Sequence, residues 1–450
     1  IRCGLVTILR SAAASGDSLL SVEEALGRLP PLSAAHPMLI SPDWIDGHAV
    51  FLNGVISRVP VEVRGEKPKT VPALQLSDLN VREEKLGKIL RARCAKSIEA
   101  PKANWKKLIS EAIEANGQKI DSTNPRHKAA LEEQAKALEA ICSRRLSVLT
   151  GGAGTGKTSV VGGLVLCETL VQEGLLLLAP TGKARVRLQG ATKGDAMTVA
   201  QFLHRLQRYD GPRQRPLFDG KETYRSAKTV VIDEASMLTM EDLYAVLQAL
   251  DLTHVQRLIL VGDPNQLPPI GVGRPFADLI TWLTSLSASE KSEEKQLSGA
   301  LARLTVEVRS VRIAGADKQE QPSDTLRLAS WFTDSPPSGF SDQVLSRLSL
   351  GEALNDLESA YWSTSDELRK QLLGQFQKHL GLKGPNDFDG FNKSFGFADE
   401  GWIKRDDPDG MENWQLLTPT RMHPHGVAEL NRWVQGHFRA KEKQNAKEFR

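Results

Sequence analysis

The fold is decided by the stretch Leu146-Ser147-Val148-Leu149-Thr150-Gly151-Gly152-Ala153-Gly154-Thr155-Gly156-Lys157-Thr158. Its first five residues predict a short buried strand, and its last eight match the pattern GxxxxGK[ST]. Glycines let backbone N–H groups converge on phosphate oxygens, and a helix that starts at the loop adds partial positive charge. The stretch therefore predicts a strand, a phosphate-binding loop and a helix, which we expect to run to Leu170.

This loop predicts a nucleoside triphosphate and Mg²⁺ as ligands. We expect Lys157 to neutralise the β- and γ-phosphates and the Thr158 hydroxyl to coordinate Mg²⁺. The alternative is a glycine-rich loop that binds no ligand. The predicted nucleotide-binding residues around the loop are Gly152, Gly154, Thr155, Gly156, Lys157, Thr158 and Ser159.

Three further apolar runs have the composition of buried strands, at Leu175–Ala179, Thr229–Ile232 and Leu258–Val261. Helical segments lie between them, and alternation of strands with helices predicts a parallel sheet with crossover helices. Ligands of such sheets bind at the carboxyl ends of the strands. The polar residues that directly follow these runs are therefore candidates for a site.

Asp233 and Glu234 follow one of these runs, and Gln266 follows another. We expect Asp233 to hold Mg²⁺ and Glu234 to act as general base toward an attacking water. The Gln266 amide can donate and accept hydrogen bonds, which suits a sensor of the γ-phosphate. For Gln266 an ordinary turn through Asp263-Pro264-Asn265 remains the alternative.

Length and composition limit the possible classes of protein. The 450 residues carry a net charge of +3, and 40% of them are hydrophobic. This indicates an ordinary globular protein of two to four domains and excludes collagen-like, coiled-coil and wholly disordered chains. Four cysteines without a CxxC pair indicate reduced thiols, and no apolar run reaches membrane-spanning length. We therefore expect a cytoplasmic protein with no membrane partner.

Charge is unevenly distributed along the chain. Basic residues exceed acidic ones in segments 82–119 and 183–208, whereas segment 397–412 is acidic and predicts an exposed loop. Each basic segment is either a nucleic-acid contact or a solvated helix face. Near the N-terminus, the apolar residues Val50–Ile56 around Asn53-Gly54 predict a short hairpin.

Taken together, the motifs resemble those of superfamily 1 helicases, specifically the RecD-like branch. The matching text is Gly151–Thr158, Leu178–Ala184 (LAPTGKA), Ile232–Met237 (IDEASM) and Gly262–Pro269 (GDPNQLPP). The resemblance implies an α/β P-loop NTPase with a RecA-like parallel sheet. We expect residues 1–120 to form a partly helical accessory region, where no motif is recognised, 121–285 to form the first motor domain, and 286–450 to form an incomplete second RecA-like domain with an insertion.

The resemblance also assigns roles to single residues. Gln134 falls where the family places an adenine-reading glutamine, with a surface glutamine as the alternative. Leu304–Arg309 resembles the first motif of the second motor domain, in which Arg309 would reach the γ-phosphate; a plain surface arginine is the alternative. Leu416–Arg421 through Asn431 also resembles that domain.

For DNA, the resemblance implicates the segment after the second predicted strand. Thr181, Lys183 and Arg185 would contact the phosphate backbone of a strand. Phe202 would stack on a base, in a motif that departs from the family by having Ala200 where a histidine is common. A core phenylalanine is the alternative reading of Phe202.

The expected function is that of an ATP-dependent DNA helicase or translocase, moving 5′→3′ by analogy with the family alone. Its expected partners are single-stranded DNA or a duplex with a single-stranded tail, within a repair or conjugation complex. Two family motifs are missing after Asn431, and the chain starts at Ile1. We therefore expect a piece of a longer protein that hydrolyses ATP poorly alone. The alternatives are a helicase module of a conjugative relaxase and an ATP-binding nucleic-acid scaffold that does not unwind.

Overall fold

The computed structural model describes residues 1–29, 42–63, 69–118, 123–220, 222–289, 291–306, 323–333, 337, 342–352, 354–396 and 414–440. The chain divides into two compact units, residues 1–312 with 332–334, and residues 313–331 with 335–450. No helix in the described ranges has both the length and the apolar character needed to cross a membrane.

The first unit contains the strands β1 (Leu19–Ser21), β2 (Ile56–Val63), β3 (Lys69–Leu76), β4 (Leu146–Gly151), β5 (Leu175–Ala179), β6 (Ala196–Thr198), β7 (Tyr209–Asp210), β8 (Arg215–Pro216), β9 (Thr229–Ile232), β10 (Arg257–Gly262) and β11 (Leu301–Leu304). Its helices are α1 (Arg2–Ala14), α2 (Val22–Gly27), α3 (Pro42–Gly47), α4 (Ala49–Leu52), α5 (Ser77–Cys94), α6 (Trp105–Ala115), α7 (Pro125–Cys142), α8 (Lys157–Leu166), α9 (Glu168–Gln172), α10 (Gly182–Thr192), α11 (Val199–Arg205), α12 (Met240–Ala249), α13 (Pro275–Ser287) and α14 (Ser292–Ser298), with a 3₁₀ turn at Ala235–Met237.

A six-stranded sheet of order β11-β4-β10-β9-β5-β6 forms the centre of this unit, and its neighbouring strands are all parallel. The four strands predicted from apolar runs are β4, β5, β9 and β10, so the predicted RecA-like α/β fold is confirmed. The short strands β6 and β11 were not predicted. The predicted boundary at residue 285 falls inside this unit, because β11 pairs with β4.

Successive residues of the central strands pack into two different cores. Leu258 and Leu260 contact one cluster with α5, α11, α12 and α13, whereas Ile259 and Val261 contact another with α6, α7, α8 and α10. This alternation is expected of a strand buried on both faces, since side chains point to opposite sides. Helices therefore cover both faces of the sheet and leave its strand ends for function.

The predicted helix after the phosphate loop is shorter than expected. α8 ends at Leu166, because Cys167 takes an extended backbone (φ −78°, ψ 101°) and packs into the core. A separate short helix, α9, then begins at Glu168.

Residues before 120 contain a small sheet beside their helices. β1, β3 and β2 form an antiparallel sheet in that order. The hairpin predicted around Asn53-Gly54 is wrong: the residues before this turn form α4, and Gly54 (φ +78°) leads into β2, whose partner is β3. The four apolar residues before the turn form one helical turn instead of a strand.

Two buried arginines satisfy backbone carbonyls near the amino ends of the central strands. Arg93 of α5 donates to the carbonyl oxygens of Arg145 (2.9 Å), Leu252 (3.1 Å) and Val255 (2.9 Å), and burial lowers its pKa to about 10. Arg257 donates to the carbonyls of Cys142 (2.9 Å) and Glu99 (3.0 Å). These bonds fix α5 and the segment before α6 to the sheet, so the predicted boundary at residue 120 also falls inside this compact unit.

The second unit contains α15 (Asp324–Ser330), α16 (Val344–Ser349), α17 (Ser365–Leu380), α18 (Phe388–Ser394) and α19 (Val427–Phe438). Its core is aromatic: Phe391 stacks on Phe438 with ring centroids 3.8 Å apart, and Phe376 and Trp414 pack edge-on or tilted against Phe391. The described residues of this unit are helical and include no strand. The acidic segment 397–412 lies outside them, so its assignment as a loop remains a prediction.

The prediction that Phe202 stacks on a DNA base is wrong. Its side chain is 1% exposed in the core, with the ring edge-on to Tyr224 at 5.5 Å between centroids. The apolar residues of α11 face the sheet, and Phe202 is among them. A ring that is buried in this way cannot reach a nucleic-acid base.

We expect Phe202→Ala to destabilise the first unit by about 3–5 kcal/mol, because truncation of a buried ring leaves a cavity. The matched control is Phe51→Ala, since Phe51 of the same unit is 67% exposed and its loss should cost less than about 0.5 kcal/mol. Chemical denaturation followed by fluorescence measures both variants. A Phe202→Ala protein of native stability that loses DNA binding would contradict the assignment to the core.

Candidate nucleotide site

The parallel register brings three loops together at one edge of the sheet. β4, β10 and β9 are consecutive neighbours, so the loops after Gly151, Gly262 and Ile232 lie side by side. They surround a cavity of about 400 Å³. Its lining includes the predicted residues Gln134, Gly152, Gly154, Gly156, Lys157, Thr158, Ser159, Asp233, Glu234 and Gln266.

The phosphate loop has the backbone that its glycines permit. Gly154 and Gly156 have φ angles of +82° and +93°, a region that residues other than glycine rarely adopt. Gly156 precedes the first residue of α8, so the N-terminal end of that helix points its free N–H groups into the loop. A Cβ at Gly152 would meet no atom within 4 Å, so the loop keeps open space beside it.

Lys157 lies across the mouth of this loop. Its Nζ donates hydrogen bonds to the carbonyl oxygens of Gly151 (2.6 Å) and Gly152 (3.0 Å). Burial lowers the pKa of Lys157, while the charges of Asp263, Glu234 and Asp233 act in the opposite direction. The ammonium group is therefore within the field of all three carboxylates.

Asp233 and Glu234 lie at the carboxyl end of β9. The Asp233 N–H donates to the carbonyl of Leu178 (2.9 Å), which fixes the residue at the sheet edge. Burial, and secondarily the charge of Glu234, raise the pKa of Asp233 to about 6. Glu234 has a left-handed backbone (φ +50°), rare for a residue with a side chain, and its Oε2 atom is buried with no hydrogen-bond partner in the described structure.

The donor set here suits a divalent cation. The Thr158 hydroxyl and the Asp233 carboxylate both line the cavity, and oxygen donors of this kind are the ligands that Mg²⁺ prefers. Burial and the charge of Glu234 raise the pKa of Asp233 despite the nearby charges of Arg187 and Lys157, so a bound cation would favour its ionised form. The residues present therefore fit a cation bound between the phosphate loop and β9.

Gln134 lines the cavity and packs against the phosphate loop. Its side chain is 2% exposed, and its Nε2 donates to the carbonyl of Thr155 (3.0 Å) in the phosphate loop. A Cβ at Gly156 would lie 2.2 Å from that nitrogen, so the amide packs directly against the loop. The adenine-reading role remains a prediction, because the hydrogen bond observed supports the loop.

The neighbouring Glu133 was not predicted to matter. Its carboxylate accepts hydrogen bonds from the Thr305 N–H (2.9 Å), the Thr305 hydroxyl (2.6 Å) and the Val306 N–H (3.0 Å), at the end of β11. These hydrogen bonds lower the pKa of Glu133 although partial burial alone would raise it. Helix α7 therefore holds the phosphate loop through Gln134 and the end of β11 through the preceding residue, Glu133.

The sequence also gave no role to Asp263 or Arg187. Asp263 is buried and accepts a hydrogen bond from the Asn265 N–H (3.0 Å), which shapes the turn that carries Gln266. Arg187 of α10 lines the cavity, with its Nη1 3.7 Å from Glu234 Oε1. Its position one helical turn after Lys183 could have indicated that Arg187 lies near the site. Arg309 lies outside the described residues.

The predicted DNA-contact residues lie at the start of α10. The Thr181 side chain caps this helix by accepting from the Ala184 N–H (3.2 Å), and Lys183 is exposed. Arg185 hydrogen-bonds Gln189. Arg208, part of the same basic segment, is buried and donates to the Glu222 carbonyl (2.8 Å), so it does not belong to a surface patch.

We expect Asp233→Asn to stabilise the unliganded protein at neutral pH. The folded-state pKa is raised above the ordinary value of 3.8 to about 6, so stability falls as pH rises between these values, and the loss is complete above pH 6. Removing the carboxylate should raise the free energy of unfolding by on the order of 2 kcal/mol at pH 7 and leave it unchanged at pH 4. Thermal unfolding from pH 4 to 8 measures this difference, with the exposed Asp195→Asn as control. Equal effects of Asp233→Asn at both pH values would contradict the raised pKa.

We expect Gln134→Ala to weaken the binding of ATP and GTP by the same factor, about tenfold, because it leaves the Thr155 carbonyl unpaired and loosens the loop. Titration with fluorescent analogues of both nucleotides measures this change. Gln248→Ala, which removes an amide hydrogen bond to Tyr244 on α12, serves as control. A selective loss of ATP affinity would instead show that Gln134 reads the base.

Part of this chain is similar to known proteins. Residues 129–317 match the family model described as an AAA domain. The chain is 33% identical over 208 residues to the RecBCD enzyme subunit RecD of Mycolicibacterium smegmatis, covering 40% of this chain and 36% of that protein. It is 38% identical over 153 residues to the ATP-dependent RecD2 DNA helicase of Deinococcus radiodurans, covering 34% and 20%.

An uncharacterised protein of Methanocaldococcus jannaschii is 29% identical over 212 residues, covering 44% of this chain and 18% of that protein. The chain thus spans from about a fifth to about a third of the length of these relatives. The residues that match the family model, 129–317, include the parallel sheet and the loops at its carboxyl edge. Over these residues the chain is therefore similar to the RecD-like branch of superfamily 1 helicases.

Proposed function

We propose that this chain is the ATP-hydrolysing motor of a DNA helicase. The observation that carries the proposal is the convergence of Lys157, Asp233, Glu234 and Gln266 on one cavity at the carboxyl edge of the sheet. A site that only bound a nucleotide would need a phosphate loop but neither a general base nor a γ-phosphate sensor. The RecD and RecD2 relatives, named as a RecBCD subunit and a DNA helicase, support DNA as the second substrate.

Hydrolysis at this site would use the chain's own residues in separate roles. The loop N–H groups and Lys157 would hold the β- and γ-phosphates, and Thr158 with Asp233 would hold Mg²⁺, which supplies further positive charge to the phosphates. Glu234 would take a proton from water as the water oxygen attacks the γ-phosphorus. The bond from that phosphorus to the β–γ bridging oxygen breaks, which gives ADP and inorganic phosphate. Gln266 would orient the attacking water.

DNA would bind near the start of α10, where Thr181, Lys183 and Arg185 follow β5. Arg309 would reach the γ-phosphate when the motor closes, and the part of residues 286–450 that follows β11 would supply part of a second RecA-like domain. Movement 5′→3′ rests on the family analogy alone. Successive cycles of ATP binding and hydrolysis would then alter the grip on the strand.

We expect Lys157→Ala to abolish DNA-stimulated ATP hydrolysis while single-stranded DNA binding persists, because the ammonium group that neutralises the phosphates is lost. Phosphate release is measured with single-stranded DNA, duplex DNA and RNA, together with strand separation on duplexes with a 5′ or a 3′ tail. Lys136→Ala, an exposed lysine of α7, is the control.

Unchanged turnover in Lys157→Ala would refute the proposed site. Hydrolysis that depends on Lys157 but produces no strand separation on either tailed duplex would favour a translocase or a scaffold over a helicase.

A further inference from the structure

Arg187 connects the helix of the proposed DNA contacts to the proposed general base. It lies on α10, and its Nη1 is 3.7 Å from Oε1 of Glu234, which follows β9. The arginine side chain is 61% exposed, whereas that of the glutamate is 17% exposed. The Arg187 guanidinium group, which faces the Glu234 carboxylate, is therefore accessible from solvent.

Glu234 has few other partners to hold it. Its Oε2 atom is buried without a hydrogen bond in the described structure, and its backbone has the unfavourable left-handed conformation. Among the described residues, Arg187 is the ion-pair partner found for this carboxylate. The orientation of Glu234 therefore depends on where the guanidinium group lies.

The position of Arg187 on α10 would also allow it to bind a strand phosphate at the proposed DNA site. Lys183 and Arg187 are four residues apart, so they project from the same side of the helix, one turn from each other. Thr181 caps this helix, and the first turn is the proposed site of strand phosphates. A guanidinium group binds phosphate at least as well as carboxylate, and it can do so with two parallel hydrogen bonds.

We propose that Arg187 is a positioning residue that couples DNA binding to ATP hydrolysis. Without DNA it holds the Glu234 carboxylate toward α10. With DNA, a strand phosphate competes for the guanidinium group and releases Glu234 to accept a proton from water. This inference rests on the proposed function, and it goes beyond that function by naming the contact that restrains hydrolysis when no strand is bound.

The test measures steady-state ATP hydrolysis by this chain with and without single-stranded DNA. We expect Arg187→Ala to raise kcat without DNA about two- to fivefold, the range that loss of a largely exposed ion pair allows. KM for ATP and the melting temperature should stay the same, and the stimulation by DNA should fall by the same factor. Arg187→Lys should restore the low basal rate, because it keeps a cation opposite Glu234.

The matched control is Arg225→Ala. Arg225 forms an ion pair with Asp251 (3.0 Å) in the same unit, with side-chain exposures of 74% and 20%, close to those of Arg187 and Glu234. Its loss changes the net charge equally, far from any proposed contact with nucleotide or DNA, and should leave both rates unchanged.

Other outcomes overturn the inference in distinguishable ways. A basal kcat in Arg187→Ala that equals or falls below that of the original chain, with DNA stimulation intact, refutes the restraining role while leaving the proposed function standing. A lower kcat in both conditions would make Arg187 an activating residue. An original chain with no Lys157-dependent hydrolysis refutes the proposed function, and the inference with it.

Discussion

The parallel pairing of β4, β10 and β9 is the constraint on which the site depends. In an antiparallel arrangement, the loops after neighbouring strands would alternate between opposite edges of the sheet. Here each strand ends at the same edge, so a phosphate loop, a buried aspartate turn and two acidic residues meet although they are separated by up to about a hundred residues in sequence. Apolar side chains on both faces of these strands fix their register, because a slip by one residue would exchange the two cores.

Several groups at this edge are held in unfavourable states. Glu234 has a left-handed backbone, Asp233 has a raised pKa, and buried oxygens of Gln134 and Glu234 have no hydrogen-bond partner in the described structure. Strained or unsatisfied groups persist where the surrounding structure over-determines them, and they cluster at functional sites. A bound cation and phosphate would relieve part of this cost, since positive charge favours the ionised form of Asp233. Nucleotide binding is therefore expected to order this edge more than the rest of the sheet.

Four of the six strands and the phosphate loop could be predicted from the sequence because each depends on a local pattern. Apolar runs of four or five residues predict buried strands, and the glycines of the phosphate loop predict its backbone conformation. The position of Gln134 could not be predicted in this way, since its hydrogen bond to Thr155 depends on how α7 packs on the loop. Phe202 was misassigned for a related reason: its motif resembled a DNA contact, but the apolar face of α11 is turned toward the sheet. The Arg187–Glu234 pair joins two elements whose distance only the fold determines.

The arginines at the opposite edge of the sheet have a mechanical consequence. Arg93 and Arg257 bind carbonyl oxygens near the amino ends of β4 and β10, and both side chains are almost wholly buried. Several hydrogen bonds to each guanidinium group make that edge costly to deform. Any displacement caused by nucleotide must then increase along the strands from the amino toward the carboxyl end. The amino edge would stay fixed while the carboxyl edge moves, and helix α5, which supplies Arg93, belongs to the fixed part.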